Sequence, residues 1–356
     1  MKFVHIADMH FDTSFSQIND NNLGTSRRLD QRKIFKKVID FIKENNIDYL
    51  FIAGDFYEHK YIRESTIDYI NKLFKTIENT KIFITPGNHD PYIKNSFYNK
   101  YAWNKNVHIF NEDITYVEDN DVRIYGYGFN DFYYTNSAID NFKIEDSSKT
   151  NILITHATLN GSNNVDLQYN AISKNVLSRI GFDYVALGHI HKSNYEPGEK
   201  IIYPGSTISM GFDEPGEHGM IVGEIENKVL TTAFIPLDES EFKIVETDIS
   251  QINSIEELSE QLNSMELADN NLYEVYLVGS RKFEIDLYNL KKLIYRNNII
   301  KIKNKTKIDY NIEEISRENT LKGLFVKEIM SRLDSEEYDK EVVEQALEIG
   351  LEILEK

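Results

Sequence analysis

The chain of 356 residues has no cysteine, which excludes a disulfide framework and a zinc-thiolate site. Any bound metal must therefore be held by His, Asp, Glu or Asn, a donor set suited to Mn²⁺, Fe²⁺, Zn²⁺ or Mg²⁺. Long apolar runs are missing as well: no stretch approaches the roughly 18 residues that span a bilayer, so no membrane segment is expected. The opening Met1-Lys2-Phe3-Val4-His5-Ile6-Ala7-Asp8 reads directly as a strand and carries no signal-type apolar region. Cytoplasm is the expected location. Repeats and low-complexity linkers are also lacking. Basic residues are in the minority, 40 Lys and Arg against 58 Asp and Glu, giving a formal net charge of -18. That balance argues against a broad grip on nucleic acid, unless bound metals or a local basic face supply the positive charge.

The residues that are present fall into a repeated design. The chain is long for one ordinary core, so two domains or one with an appendage are expected. Residues 82–91, Ile-Phe-Ile-Thr-Pro-Gly-Asn-His-Asp-Pro, read as a buried strand ending in a sharp turn. That turn carries Asn88, His89 and Asp90 side by side. Residues 3–7 read as a strand ending at Asp8-Met9-His10. On an extended segment positions i and i+2 share a side, so Asp8 and His10 can reach one metal, with Asp12 at the same spacing to orient His10. His5 reads as a packed core histidine. A polar loop is expected over 13–25 and a helix over 27–45. Residues 47–53 form a second buried strand ending in Gly54-Asp55, where Asp55 meets a crevice and has two oxygens with which to bridge two metals. Glu58 and His59 follow, read as exposed-loop residues, with contact to substrate as the alternative for either.

A helix over 62–77 completes a β-α-β-α-β order. Shorter strands at 107–110, 114–117 and 122–127 suggest a second, more antiparallel sheet, in which His108 reads as structural. The strand 152–155 ends in His156. After a helix at 173–180, the strand 184–187 ends in Gly188-His189-Ile190-His191, with Gly188 clearing space. A strand over 201–206 and a hairpin at 220–226 and 229–235 follow, and His218 in the intervening turn reads as mainly structural. From about 241 the pattern changes to a small α+β unit, with strands at 242–245, 273–278 and 298–308 and helices at 255–265 and 287–296. Lys301, Lys303, Lys305 and Lys307 alternate along the last strand and would share one face. They would touch nucleic-acid backbone or line a solvated edge where lysines discourage aggregation. Amphipathic helices at 321–333 and 342–354 close the chain, packing on the core or offering an apolar face to a partner.

Each short motif is weak alone, but five of them stand at predicted strand ends and together supply a two-metal ligand set. Asp8, His10, Asp55 and His191 can make one site, and Asp55, Asn88, His156 and His189 the other. Two metals clamp a phosphate and lower the pKa of a water held between them. His89 is left without a ligand role, placed to donate a proton to the leaving oxygen, with Asp90 fixing its tautomer.

Asp8-x-His10, Gly54-Asp55, Gly87-Asn88-His89-Asp90, His156 and Gly188-His189-x-His191 resemble the calcineurin-like metallophosphoesterases in kind, order and spacing, over roughly residues 1–235. The likeness is greatest to their DNA-repair exonuclease branch, of the SbcD and YhaO type. It rests on His5-x-Ala7-Asp8-x-His10-x-Asp12-x-x-Phe15, Tyr203-Pro204-Gly205-Ser206, Phe212-x-Glu214-x-Gly216 and Gly219. Glu58 departs from the Asp or His usual there. The resemblance implies an α/β fold, a four-layer sandwich of two mixed β-sheets flanked by helices. It would span 1–240, followed by an α+β capping domain at 241–310 and C-terminal helices at 311–356. It further implies a Mn²⁺-dependent DNA exo- or endonuclease acting in DNA repair, a homodimer, and an SbcC-type coiled-coil ATPase bound through the C-terminal helices. The alternatives are a phosphodiesterase or phosphatase for a small or nucleotide substrate, and a binding protein with a vestigial site.

Overall fold

The computed structural model describes all residues except 16–20, 112, 134–138, 140, 160–168, 334, 336–337 and 355–356. By contact the chain divides into two units, Met1–Ile244 with Leu267–Glu274, and Val245–Glu266 with Val275–Lys356.

The first unit runs β1 (Lys2–Ile6), α1 (Asn21–Glu44), β2 (Tyr49–Ala53), α2 (Glu64–Lys75), β3 (Lys81–Thr85), α3 (Phe97–Lys100), β4 (Val107–Ile109), β5 (Thr115–Asp119) and β6 (Val122–Tyr127). It continues through β7 (Thr150–His156), α4 (Lys174–Ile180), β8 (Tyr184–Gly188), β9 (Ile201–Ile202), β10 (Gly219–Glu226) and β11 (Val229–Pro236). Two sheets result, with orders β11-β10-β1-β2-β3-β4 and β5-β6-β7-β8-β9. Both are mixed. In the first, β1 to β4 are parallel and β10 and β11 antiparallel. In the second, only β5 is antiparallel.

Strand alternation sends side chains to opposite faces, and here both faces are covered. Leu50 and Ile52 of β2 meet Phe35, Val38 and Ile42 of α1 and Ile67, Ile70 and Phe74 of α2. Tyr49, Phe51 and Ala53 of the same strand turn the other way, onto Ile124, Ile152, Ile154 and Ala186 of the second sheet. The outer face of that sheet, with Leu153, Val185 and Leu187, packs on Leu177 of α4 and on Phe182. The layers are helix, sheet, sheet, helix, the expected four-layer sandwich.

Two expectations are corrected. Helix α1 begins at Asn21 rather than near 27, because its first turns carry Gly24 and polar residues that show no apolar period. The second sheet is mainly parallel and β4 joins the first sheet. The short strands at 107–127 are near in sequence, yet only β5 and β6 pair as a hairpin. The strands that complete the second sheet arrive from residue 150 onward.

Three further strands, β12 (Phe242–Asp248), β13 (Leu272–Val278) and β15 (Ile299–Asn304), form a sheet in the order β12-β13-β15. The first three residues of β12 and of β13 are counted in the first unit. The second unit adds α5 (Ile255–Ser264), β14 (Ser280–Arg281), α6 (Leu287–Leu293), β16 (Lys307–Ile308), α7 (Ile312–Ile315), α8 (Leu321–Leu333) and α9 (Lys340–Leu354). The single strand expected over 298–308 is broken. Asn304 Oδ1 accepts from Thr306 N at 3.0 Å and from Thr306 Oγ1 at 2.6 Å, closing a turn. Beyond the turn, Lys307 pairs with Ser280 in a separate ladder. Lys301 and Lys303 stand on β15, Lys305 lies at the turn and Lys307 on β16, so the four lysines do not share one strand face. The Lys303 and Lys305 ammonium groups lie 5.2 and 3.5 Å from the centroid of the Tyr276 ring. No helix among the described residues is long and apolar enough to cross a membrane.

Candidate metal centre

The parallel strands β1, β2 and β3 end together, as do β7 and β8. Their carboxyl ends bring Asp8, Asp55, Asn88, His156 and His189 to one edge of the sandwich. The loops after β1 and β2 stay paired past the strands: Asp8 N donates to Gly54 O (3.1 Å), His10 N to Asp55 O (2.9 Å) and Phe11 N to Phe56 O (3.0 Å). The loop after β8 is tied in by His189 N, which donates to both Asp8 oxygens at 3.1 and 3.0 Å. His89 N donates to Asp55 Oδ1 at 2.8 Å.

The backbone here is not extended. Asp8, His10 and Asp12 have φ of 49°, 44° and 64°, Asp55 has 48° and His189 107°. Left-handed φ costs a non-glycine residue about 1–2 kcal/mol, and such outliers gather where surrounding contacts over-determine a site. The i, i+2 alternation expected of Asp8, His10 and Asp12 is therefore corrected: successive left-handed turns aim these side chains. Close approach also requires glycine. A Cβ on Gly87 would stand 2.2 Å from Asp55 Oδ1, and one on Gly188 1.7 Å from Ala53 O.

Two acceptor-rich clusters result. In the first, His10 Nε2 faces His191 Nε2 at 3.1 Å. Nδ1 of His10 is held by Glu58 Oε1 at 2.8 Å and Nδ1 of His191 by Glu214 Oε1 at 2.5 Å. A carboxylate only accepts, so each Nδ1 carries a hydrogen and, in neutral rings, two Nε2 lone pairs point at each other. Asp8 Oδ1 lies 3.9 Å from His191 Nε2. In the second cluster His156 Nδ1 donates to Ala53 O at 3.0 Å. Its Nε2 faces Asn88 Oδ1 at 3.1 Å and Asp55 Oδ2 at 3.3 Å. Asp55 Oδ2 lies 3.7 Å from His10 Nε2, so it stands between the clusters. The His189 ring packs edge-on against His156, 5.1 Å between centroids. Asp8, His10 and His191 on one side, and Asp8, Asp55 and His156 on the other, have the proximity to hold a metal ion. Imidazole Nε2 atoms whose Nδ1 is tied back, converging with carboxylate oxygens at these distances, fit divalent cations, and this is the physical test the site passes.

Electrostatics agree. Burial raises the Asp8 carboxyl above its usual range. Burial acts likewise on Asp55, but the His156 charge and hydrogen bond more than offset it and hold Asp55 well below that range. Burial opposes charge on His156 and His191, yet Asp55 on one and Glu214 on the other lift them to about 9. A buried acidic cluster of this kind draws positive charge inward.

Asp8, His10, Asp55, Asn88, His156 and His191 are brought together and His89 joins them, while His189 stands beside them through its backbone N–H and its packing on His156. A cleft of about 360 Å³ opens over His10, His89 and His191, walled by Phe15, Met210 and Glu214. The orienting groups differ from those expected. Asp12 does not touch His10; it accepts from Thr66 Oγ1 (2.7 Å), Arg63 N (3.2 Å) and Arg32 (3.1 Å). Asp90 does not hold the His89 ring. It is fully buried and accepts from the backbone N–H groups of Gly87, Asp55 and Phe56 and from Tyr98 Oη at 2.6 Å. Burial and the nearby Asp55 charge raise its carboxyl to about 6. The carboxylate that serves both histidines is Glu58: Oε1 takes His10 Nδ1, and Oε2 takes His89 Nδ1 at 3.0 Å. Burial would raise Glu58, but these two bonds bring it to about 2. The same contact lifts His89, against its burial, to about 9.

Glu214 was visible only as part of the resemblance. Its Oε2 accepts from Ser206 Oγ at 3.2 Å, and Ser206 meets His218 Nδ1 at 2.8 Å. His218 thus braces the loop behind His191. His5 is a core residue bonded to Tyr184 Oη at 2.9 Å, and His108 packs on Phe83 and Phe110. His59 packs on Phe132. Tyr169, missed for want of any local signal, lies edge-on to His189, 5.4 Å between centroids.

The family model for calcineurin-like phosphoesterases matches residues 1–193. The metallophosphoesterase YhaO of Bacillus subtilis is 25% identical over 246 residues, 66% of this chain and 60% of that protein. The SbcD component of the SbcCD nuclease of Staphylococcus epidermidis is 27% identical over 293 residues, 71% of this chain and 74% of that protein. Its counterpart in Staphylococcus saprophyticus is 26% identical over 272 residues, covering 67% and 69%.

Proposed function

This chain belongs to the calcineurin-like phosphoesterase family, and from that premise we propose that it is a two-metal phosphodiesterase whose substrate is DNA. The observation that carries the proposal is the pair of adjacent His/Asp clusters, with Asp55 Oδ2 3.7 Å from His10 Nε2 and 3.3 Å from His156 Nε2, and His89 beside them in an open cleft. Asp8, His10, Asp55 and His191 would hold one cation, and Asp55, Asn88, His156 and His189 the other. Divalent cations bound there supply charge neutralisation at a phosphoryl group and lower the pKa of water. His89, with Nδ1 fixed by Glu58, presents Nε2–H to the leaving oxygen and protonates it as the ester bond breaks. Asp90 ties the 87–90 turn to the end of β2 and so places His89 indirectly.

DNA is favoured because two of the similar proteins are components of a nuclease; a role in repair, with Mn²⁺ as the working metal, is part of the same proposal. Capping and partner functions fall to the second unit. Leu321, Leu324, Val342, Ile349 and Ile353 are exposed on α8 and α9, an apolar surface suited to the coiled coil of a partner ATPase. Homodimerisation belongs to the same reading, as does contact of Lys301, Lys303, Lys305 and Lys307 with DNA backbone. One observation favours a second reading, a small or nucleotide phosphodiester: the formal net charge of -18. Purified protein with Mn²⁺ is assayed on single- and double-stranded DNA and on a chromogenic phosphodiester. Cleavage of DNA, with DNA competing against the chromogenic ester, supports the first reading. Turnover of the ester alone, indifferent to added DNA, supports the second.

A further inference from the structure

The first unit holds another cavity, of about 930 Å³, at the opposite end of its second sheet. Asn151, near the start of β7, lines it, as do Asp183 just before β8 and Lys200 just before β9. Asn151 and His156 are five residue steps apart on β7, roughly 17 Å at about 3.3 Å per step, so this cavity is distinct from the metal centre.

Its chemistry is not that of the acidic surface around it. Lys143, Arg179 and Lys200 line the cavity and make no ion pair among the described residues. The acid at its wall is already matched: Asp183 Oδ2 accepts from Asn151 N at 2.8 Å and from Lys228 Nζ at 2.8 Å. In a chain of net charge -18, three unpaired cations around one concavity mark a place for an anion. Asn151 forms part of the wall beneath them. The residue is 2% exposed. Its amide nitrogen donates to the carbonyls of Asp146 and Lys149, at 3.0 and 2.7 Å. Its Oδ1 is buried, with under 1 Å² accessible, so Asn151 braces the wall and the cations around it face the cavity. Ile144 and Ile180 supply an apolar wall.

We propose that this cavity binds a nucleoside phosphate, with phosphate against Arg179, Lys200 and Lys143 and the base on the Ile144 and Ile180 wall. Arginine and lysine are the usual phosphate partners, and the cavity lies within the roughly 300–1,000 Å³ range of small-ligand sites, larger than inorganic phosphate needs.

The test is calorimetric titration of the full chain with ATP, tripolyphosphate and adenosine in EDTA, which keeps the metal centre from recruiting phosphate. ATP should bind to wild type, more tightly than tripolyphosphate or adenosine. Arg179→Gln with Lys200→Gln should weaken ATP by about tenfold or more, while His156→Ala at the metal centre should leave it unchanged. Both cavity side chains are exposed, and a thermal melt confirms that the double variant folds. No ATP binding at millimolar concentration, or binding untouched by the double substitution or lost in His156→Ala, overturns the proposal. Equal binding of tripolyphosphate and ATP overturns its nucleoside part.

Discussion

Glu58→Gln changes one oxygen to nitrogen and should cost one of two histidines its partner. The wild-type carboxylate accepts from His10 Nδ1 at 2.8 Å and from His89 Nδ1 at 3.0 Å, one oxygen for each. A glutamine amide keeps one acceptor, and its NH₂ faces an imidazole N–H across the other bond, so one histidine loses its partner. A hydrogen bond to a charged group contributes about 1.5–3 kcal/mol. If the loss falls on His89 in the transition state, turnover drops about 10- to 150-fold. If it falls on His10, metal affinity drops about 10- to 100-fold, the usual scale for a group supporting a ligand. The assay is turnover of a chromogenic phosphodiester against Mn²⁺ concentration, run in wild type, Glu58→Gln, His89→Ala and the double variant. Because Glu58 is argued to act partly through His89, its effect on turnover at saturating Mn²⁺ should shrink in the His89→Ala background. Wild-type turnover and Mn²⁺ affinity in Glu58→Gln would refute the bridging role. Fully additive losses in the double variant would refute the coupling.

His89→Ala should keep its metals and lose about 10²- to 10⁴-fold in turnover, whereas Asn88→Ala should lower metal occupancy; equal metal loss in both, by elemental analysis, would contradict the division of roles. Gly188→Ala places a Cβ 1.7 Å from Ala53 O, forcing β2 and β8 apart. It should lose about 1–3 kcal/mol of stability and some metal, and a wild-type melting curve would show that the close approach is dispensable. Burial pulls the His5 imidazole to about 3, from 6.5. The unfolded chain therefore takes up a proton below about pH 6.5 that folded His5 refuses, and stability falls with pH across that window. At pH 5 the loss is about 2 kcal/mol, roughly 1.4 per pH unit. Urea midpoints at pH 7 and pH 5 should differ more in wild type than in His5→Gln; identical differences would show that His5 is not the acid-labile group.

Much of the centre was legible because strand cores announce themselves. Apolar runs such as Tyr49–Ala53 and Tyr184–Gly188 end where ligand-type residues begin, and parallel strands share a carboxyl edge. The helix periods over α2 and α8 and the core role of His5 were readable for the same reason. What escaped notice depends on pairing through space. Glu58 looks like a loop carboxylate until His10 and His89 are seen on either side of it. Asp90 sits next to His89 in sequence, yet points into a nest of backbone N–H groups. Left-handed φ at Asp8, His10 and Asp12 leaves no mark in an apolar pattern, since short polar residues tolerate that region in ordinary turns as well. The lysine row failed because Asn304 and Thr306 close a turn where alternation alone predicts an unbroken strand.

The central claim is that two cations sit side by side on these histidines and carboxylates. It is tested most directly by counting Mn²⁺ per chain by elemental analysis after metal loading and desalting. The account predicts two per chain in wild type, with fewer in Asp55→Asn, the carboxylate that stands between both clusters. A chain that retains none, or an Asp55→Asn variant that retains two, would contradict it.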